Sequence, residues 1–360
     1  MKVAIVHDWL NQMGGAEYVL EVVHELFPEA PIYTSIYWRE AMPPAYREWD
    51  IRTSFLDRWP LVKKNHQPFL PFYPLAFEQF DLNGYDLVIS IKSAFCHGVI
   101  TPPATRHLCY CLTTTRFVWN YAGYRAREGF GRVTDWLLRP FLSYLRLWDR
   151  LAAERVDAFA AISRAVQARV AKYYRKDSTI IYPPVAVERF TPGPEPPGDY
   201  YLVVSRLVPY KRIDLAVRAF NALRLPLVIV GDGRDRGPLR ALAGPTVAFR
   251  GRVSSEELLR LYRGCRAFIF PGEEDFGIAP VEAMACGRPV VAYAAGGALD
   301  TVREGITGTF FHEADPEALA EAVQRCERMR FDPAVIRAHA EGFQPERFKA
   351  EFMRFVEGHL

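Results

Sequence analysis

No stretch of about eighteen apolar residues occurs in this 360-residue chain, so nothing in it reads as a membrane-spanning helix. The opening run, residues 1–7, is too short for a secretory leader and lacks a small-residue cleavage site; it reads as a strand. There is no C-x-x-C pair and no cysteine–histidine ligand set among the six cysteines, several of which lie in apolar runs. Buried free thiols in a reducing compartment are the expected state, which favours a cytoplasmic location. No Asp-x-Asp stands at a strand end and no histidine–carboxylate cluster has metal spacing, so no metal or other cofactor is expected. The G-x-G-x-x-G fingerprint is missing from both halves, which disfavours a nicotinamide dehydrogenase. Net charge is also nearly absent: 45 basic against 42 acidic residues leave +3, too little to argue for a nucleic-acid partner.

What is present is a two-fold alternation of apolar runs and helical stretches. The first half opens with a strand at 2–7, a loop at 8–15 and a helix at 16–26; further strands are predicted at 87–90, 107–110 and 158–162. The second half begins again at 200–204, with strands at 227–230, 247–249, 267–270 and 290–293 and helices at 213–221, 255–263 and 281–286. Such alternation implies right-handed crossovers and a parallel sheet in each half. The Pro- and Gly-rich stretch 182–198 reads as the linker between them. The expected architecture is α/β, two Rossmann-like doubly wound domains facing across a cleft.

The most informative segment is Pro271-Gly-Glu-Glu-Asp-Phe-Gly-Ile-Ala-Pro-Val-Glu-Ala-Met-Ala-Cys-Gly287. The apolar run 267–270 before it is a buried strand, and Pro280 suits a helix start. The segment therefore lies at the carboxyl edge of a parallel sheet, where open α/β folds bind ligands. A glycine beside free helix-start N–H groups lets an anion approach backbone donors. Two nearby carboxylates, Glu274 and Glu282, suit hydroxyl-rich groups at the two ends of such an anion. A molecule with hydroxyls, a diphosphate and more hydroxyls is a nucleotide sugar. Two solvated acids favoured by the helix dipole are the plainer explanation, and the remaining loops weigh against it.

Directly after the strand at 200–204 comes Ser205-Arg206-Leu-Val-Pro-Tyr-Lys211-Arg212, whose cations are placed to hold a diphosphate and stabilise it as a leaving group. Gly14-Gly15 follows the first strand and precedes a helix; a plain tight turn explains it equally well. Gly231-Asp-Gly233, after the strand 227–230, reads as a simple turn, with a place near the ligand as the alternative. Residues 57–80 and 116–155 are crowded with aromatic and basic side chains, among them Trp59, Lys63, Lys64, Phe69, Phe72 and Tyr73, then Trp136, Arg139, Phe141, Tyr144, Arg146 and Trp148. They are either a core with a solvated face or a surface for the lipid headgroup region.

These motifs together resemble the retaining glycosyltransferases of the GT-B fold, family 4, over nearly the whole chain. The most specific parts are Val204-Ser-Arg-Leu-Val-Pro-Tyr-Lys211, Gly251-Arg-Val253 and the Glu274–Gly287 block with its E-x7-E spacing. His7-Asp-Trp-Leu with Gly14-Gly-Ala-Glu17, and Arg116-Phe-Val-Trp119, are most similar to the WbaZ-type mannosyltransferases of polysaccharide assembly. The resemblance implies that Arg206 and Lys211 bind the donor diphosphate, Glu274 the hydroxyls of the transferred sugar, and Glu282 the ribose. It puts the N–H groups of Phe276, Gly277 and Ile278 along the sugar and phosphate, Val253 near the base, and Gly15 close to the phosphates or acceptor. Arg206, Lys211 and Glu274 would be the catalytic set. The implied domains are 1–185 plus 343–360, for the acceptor, and 186–342, for the donor.

The implied reaction is metal-independent transfer of a hexose, mannose from GDP-mannose, onto a lipid-linked or oligosaccharide acceptor at the inner face of the cell membrane. A UDP-sugar enzyme, a GT-B nucleotide-sugar epimerase and a non-catalytic sugar-binding protein are the alternatives. One departure bears on the last of these. Tyr110-Cys-Leu112-Thr-Thr-Thr-Arg116 carries Leu112 where WbaZ-like relatives have a histidine facing the donor sugar. His7, His97 and His107 are candidates to supply that group from elsewhere.

Overall fold

The computed structural model describes residues 1–121, 132–194 and 196–360. The chain divides into two compact units, residues 1–184 with 348–360, and residues 185–347.

The first unit is built on a seven-stranded, all-parallel sheet: β1 (Val3–His7), β2 (Ile32–Thr34), β3 (Ile51–Thr53), β4 (Leu87–Lys92), β5 (Arg106–Cys111), β6 (Ala158–Ala161) and β7 (Ser178–Ile180), in the order β3-β2-β1-β4-β5-β6-β7. The second carries six parallel strands: β8 (Tyr201–Val204), β9 (Leu227–Val230), β10 (Val247–Gly251), β11 (Phe268–Phe270), β12 (Val290–Tyr293) and β13 (Gly308–Phe311), in the order β10-β9-β8-β11-β12-β13. Helices cover both faces, so the central strands are buried on both sides and read as unbroken apolar runs: every residue of β1, β4, β9 and β11 is buried. In each sheet the first strand of the unit sits where the order reverses, between β2 and β4 or between β9 and β11. Open α/β sheets bind their ligands at such reversals, at the carboxyl ends of the strands.

The two reversal points differ chemically. In the first unit the residue after β1 is Asp8, fully buried, and its carboxylate accepts from the backbone N–H groups of Ser93 (2.6 Å), Ala94 (2.7 Å), Phe95 (2.6 Å) and Cys96 (2.8 Å). The Ser93 hydroxyl adds a fifth bond at 2.9 Å. The loop after β4 thus has a nest of donors, and the protein fills it with its own anion. In the second unit the residue after β8 is Ser205, which carries no charge.

Several boundaries depart from the sequence reading. The helix of the acidic segment runs Ile278–Ala285, with Gly277 (φ +93°) as its cap, so Pro280 is its third residue and not its start. The stretch after residue 184 is no free linker. Val185 N–H donates to the Phe343 carbonyl at 2.9 Å, and Arg337 Nη1 donates to the carbonyls of Val187 (2.8 Å), Phe190 and Ala285 (2.9 Å). One guanidinium thereby ties that stretch to the helix Pro333–Glu341. The last helix, Pro345–Glu357, packs Phe348 and Phe352 against Tyr110 of β5, ring centroids 5.5 and 5.8 Å apart, returning the chain end to the first unit. All six cysteines are buried and free, as expected. Among the described residues no helix is long and apolar enough to cross a membrane.

Of the aromatic stretch 116–155, residues 122–131 and the side chain of Trp136 lie outside the description. The rest divides. Trp148 is core, its indole donating to Glu78 at 2.8 Å, and Arg146 donates to the Val118 carbonyl at 2.9 Å. Tyr144, Leu147 and Leu151 remain exposed at helical spacing on Arg132–Glu154. In residues 57–80, Trp59, Leu61, Phe72 and Leu75 are exposed, while Tyr73 is buried.

Candidate active site

The loop after β8 makes a tight turn at Pro209–Lys211 before the helix Ile213–Leu223. This turn sets Lys211 against the loop after β11, where its ammonium forms an ion pair with the Glu274 carboxylate. Both side chains are largely shielded, 14% and 21% exposed, so the attraction is weakly screened. Tyr210 joins the second cation to this pair. Its ring lies 5.3 Å from the Lys211 ammonium, and its hydroxyl accepts from Arg206 Nη2 at 3.2 Å. Arg206 itself stands exposed beside the pair.

Glycine allows the loops to pack backbone against backbone here. Gly296 has φ +61°, and a Cβ on it would stand 2.1 Å from the Glu274 carbonyl oxygen, which also accepts from the Gly297 N–H at 2.8 Å. Gly231 (φ +125°) approaches Ser205 as closely, with 1.9 Å from its Cβ position to the carbonyl oxygen. Any side chain at these two positions would push apart the loops that bear Glu274 and Arg206.

Glu282 lies within the helix Ile278–Ala285 and accepts from the Tyr262 hydroxyl at 2.7 Å. Burial pushes its carboxyl above the usual value; the Tyr262 bond and the charge of Arg189 pull it partly back. Burial and the adjacent carboxylate push the Tyr262 phenol well up, so it stays a donor. One side of Glu282 is thereby fixed by a neutral hydroxyl.

Of the residues singled out from the sequence, Lys211 and Glu274 touch directly and Arg206 joins them through Tyr210. Glu282 is held separately by Tyr262. Phe276 turns its ring into the interior against Phe343, centroids 5.6 Å apart, and its main chain packs closely against Gly297. Gly277 and Ile278 are the cap and first residue of the helix. Val253 is half-buried in the loop after β10. Gly15 belongs to the other unit, as the first residue of the helix Gly15–Leu26; Gly14 before it is extended, a conformation open to any residue. Tyr210, Tyr262 and Gly296-Gly297 were missed. Only the paired glycine, set off from β12 by Ala294-Ala295, carries a sequence signal, as a strand-end loop like the others.

In the first unit Leu112 is buried at the carboxyl end of β5, its N–H donating to the Lys92 carbonyl at 2.8 Å. Of the three histidines weighed as substitutes, His107 lies near the start of β5, bonded to Ser90 at 3.0 Å, and is far from the carboxyl edge. His97 is buried with Lys92 and Asp149, and burial holds it well below its ordinary pKa, hence neutral. His7 closes β1, 3.6 Å from Glu17, and is the one of the three that stands at the carboxyl edge without belonging to that cluster.

Comparison with known proteins fits this geometry. Residues 13–189 match the family described as Glycosyltransferase Family 4, and residues 187–341 match Glycosyl transferases group 1. Together the matches span residues 13–341. The chain belongs to the family 4 glycosyltransferases of the GT-B fold. It is 33% identical over 224 residues to the GDP-mannose-dependent alpha-(1-6)-phosphatidylinositol monomannoside mannosyltransferase of Mycolicibacterium smegmatis, covering 54% of this chain and 58% of that protein. It is 38% identical over 143 residues to the GDP-mannose-dependent alpha-mannosyltransferase of Mycobacterium tuberculosis, 38% of this chain and 36% of that one. The chain thus spans about half or less of the length of these relatives. The Anabaena HepE structure in complex with UDP superposes with a TM-score of 0.72 at 18% identity, covering 99% of this chain and 100% of that one, which extends the likeness of fold to both units.

The upward shift of Glu282 has a testable sign. A carboxyl raised in the folded state favours folding while protonated and opposes it once the pH passes through its folded value. Glu282→Gln mimics the protonated form and keeps an acceptor for Tyr262. In the free protein it should raise the midpoint of thermal unfolding at pH 8, with the gain shrinking as pH falls toward 4.5, the ordinary value. A lower midpoint at pH 8 would contradict the assignment.

Proposed function

We propose that the chain transfers a hexose from a nucleoside diphosphate, mannose from GDP-mannose, to a lipid-linked or oligosaccharide acceptor. The observation that carries this reading is the Lys211–Glu274 pair at the reversal between β8 and β11, with Arg206 beside it. The GDP-mannose dependence in the names of two relatives supports the donor, and phosphatidylinositol monomannoside in one of them supports a lipid-linked acceptor.

The pair suggests an order of events. An entering diphosphate competes with Glu274 for the Lys211 ammonium, and Arg206 gives a second cation with forked donors. Glu274, released, accepts hydrogen bonds from hydroxyls of the transferred sugar. Glu282, steadied by Tyr262, takes the ribose hydroxyls, and the main chain of Phe276, Gly277 and Ile278 lines the sugar and phosphate. Neither acid is then placed as a nucleophile, in contrast to the paired carboxylates of retaining glycosidases. The acceptor attacks from the face the phosphate leaves, through an oxocarbenium-like state, and the departing oxygen takes its proton. Configuration is retained and no metal is required, the cations bearing the developing charge. Arg206→Ala should cut kcat by about 100-fold, the ~3 kcal/mol typical of losing such a donor. GDP should raise the unfolding midpoint more than UDP. Near-normal turnover would remove Arg206 from the mechanism, and a preference for UDP would support the second reading, a UDP-sugar enzyme, which the UDP-bound HepE fold relative favours.

The enzyme would act from the cytoplasm, peripherally at the inner face of the membrane. The exposed apolar groups Trp59, Leu61, Phe72 and Leu75, and the stripe Tyr144, Leu147 and Leu151, support this, with Lys63, Lys64 and Arg139 near them in sequence. The chain should co-sediment with phosphatidylglycerol vesicles and be released by salt. Leu147→Glu with Leu151→Glu should weaken this binding several-fold; binding that ignores both salt and the substitutions would contradict the assignment.

A further inference from the structure

At the opposite edge of the second unit's sheet, where β8, β11 and β12 begin, lies a cavity of about 400 Å³. That volume is within the range of small-molecule sites. Its walls come from residues 197–199, Tyr201, 266–267 and 287–289, from the end of the helix Pro316–Arg328 and from the segment after it. Because the strands are parallel, this edge is a full strand length from the loops bearing Lys211 and Glu274. The cavity takes no part in the donor site.

Its charges are unevenly matched. Arg266 pairs with Glu327 at 3.5 Å, and Glu327 also accepts from the Tyr201 hydroxyl at 2.9 Å, so these three groups satisfy one another. Asp199 stands exposed at the rim. Arg288 is different. It is only 7% exposed, its Nε is buried with no hydrogen-bond partner, and among the described residues no carboxylate pairs with it. Its backbone is fixed, Arg288 N–H donating to the Ala283 carbonyl at 3.0 Å as the chain turns into β12. A buried guanidinium is retained in folded proteins when something pairs with it. Pro289, Met329, Phe331 and Pro333 give the wall one apolar side.

We infer that this cavity is a second ligand site, separate from the donor site, in which Arg288 binds the oxyanion of a small molecule with an apolar body, a carboxylate or a phosphate monoester. The fork of guanidinium donors matches the planar pair of oxygens that both chemistries offer, and the apolar wall takes the body. The site opens on the face away from the transfer chemistry, so its ligand is neither donor nor acceptor.

The test uses the full chain with benzoate and phenyl phosphate as probes, in wild type, in Lys211→Ala, which disables the donor loop, and in Arg288→Leu. At about a hundred times its Kd, a bound probe should raise the unfolding midpoint by about 5 °C in wild type and Lys211→Ala, and not in Arg288→Leu. The probe that shifts the midpoint identifies the anion. No shift with either probe, a shift lost in Lys211→Ala, or a shift surviving in Arg288→Leu would each overturn the inference. If Arg288→Leu does not fold, Arg288→Lys decides by calorimetry: it keeps the charge and loses the fork, so affinity should fall at least tenfold, and unchanged affinity overturns the site.

Discussion

Lys211 and Glu274 come from loops that leave neighbouring parallel strands, and their ion pair fastens these loops together at the point where the strand order of the second sheet reverses. Both groups are shielded, so each would be costly to leave alone, and each satisfies the other. A diphosphate can replace the glutamate as the lysine's partner without creating an unpaired charge, provided the glutamate gains hydroxyls in exchange. On the proposed function, the pair would favour an occupant having an anion next to a polyol. Tyr210 extends the cationic side to Arg206, and Gly296-Gly297 pack behind Glu274.

The two units share a topology and differ in what occupies their reversal points. In the first, Asp8 already satisfies four backbone N–H groups after β4, so an incoming phosphate would meet a buried carboxylate. In the second the corresponding residue is Ser205, and the nearby charges are cations. One fold thus places a buried carboxylate at this point in one unit and cations near it in the other. The buried cluster of Lys92, Asp149, Thr115, Trp119 and Tyr174 further stiffens the first unit, tying the segment after Leu112 to the helix Arg132–Glu154.

Much of this was legible because long apolar strands and strand-end loops leave local signatures. β1, β4, β8, β9, β11 and β12 are runs that only a doubly covered sheet explains, and the segments 205–212 and 271–287 announce themselves by glycine, proline and charge. Among the three-residue strands, β11 stands out by the apolar run 267–270, whereas β2, β3 and β7 carry too little periodicity to register, and β13 follows an irregular stretch. Partnerships distant in sequence were hidden for a different reason. Tyr262 reads as an ordinary core residue until the fold brings it to Glu282, and Arg337 reads as a surface cation until it is seen tying down residues 187–190. In the sequence Arg288 is likewise only one charge between Gly287 and Pro289; its burial and lack of a partner exist only in three dimensions.

Hydrogen–deuterium exchange of the intact chain with and without GDP tests the central claim most directly, because it reads every loop at once. Exchange should slow in residues 205–212 and 271–282, the loops joined by Lys211 and Glu274. Slowing confined to residues 8–15 and 93–96 of the first unit, or no slowing at all, would contradict it.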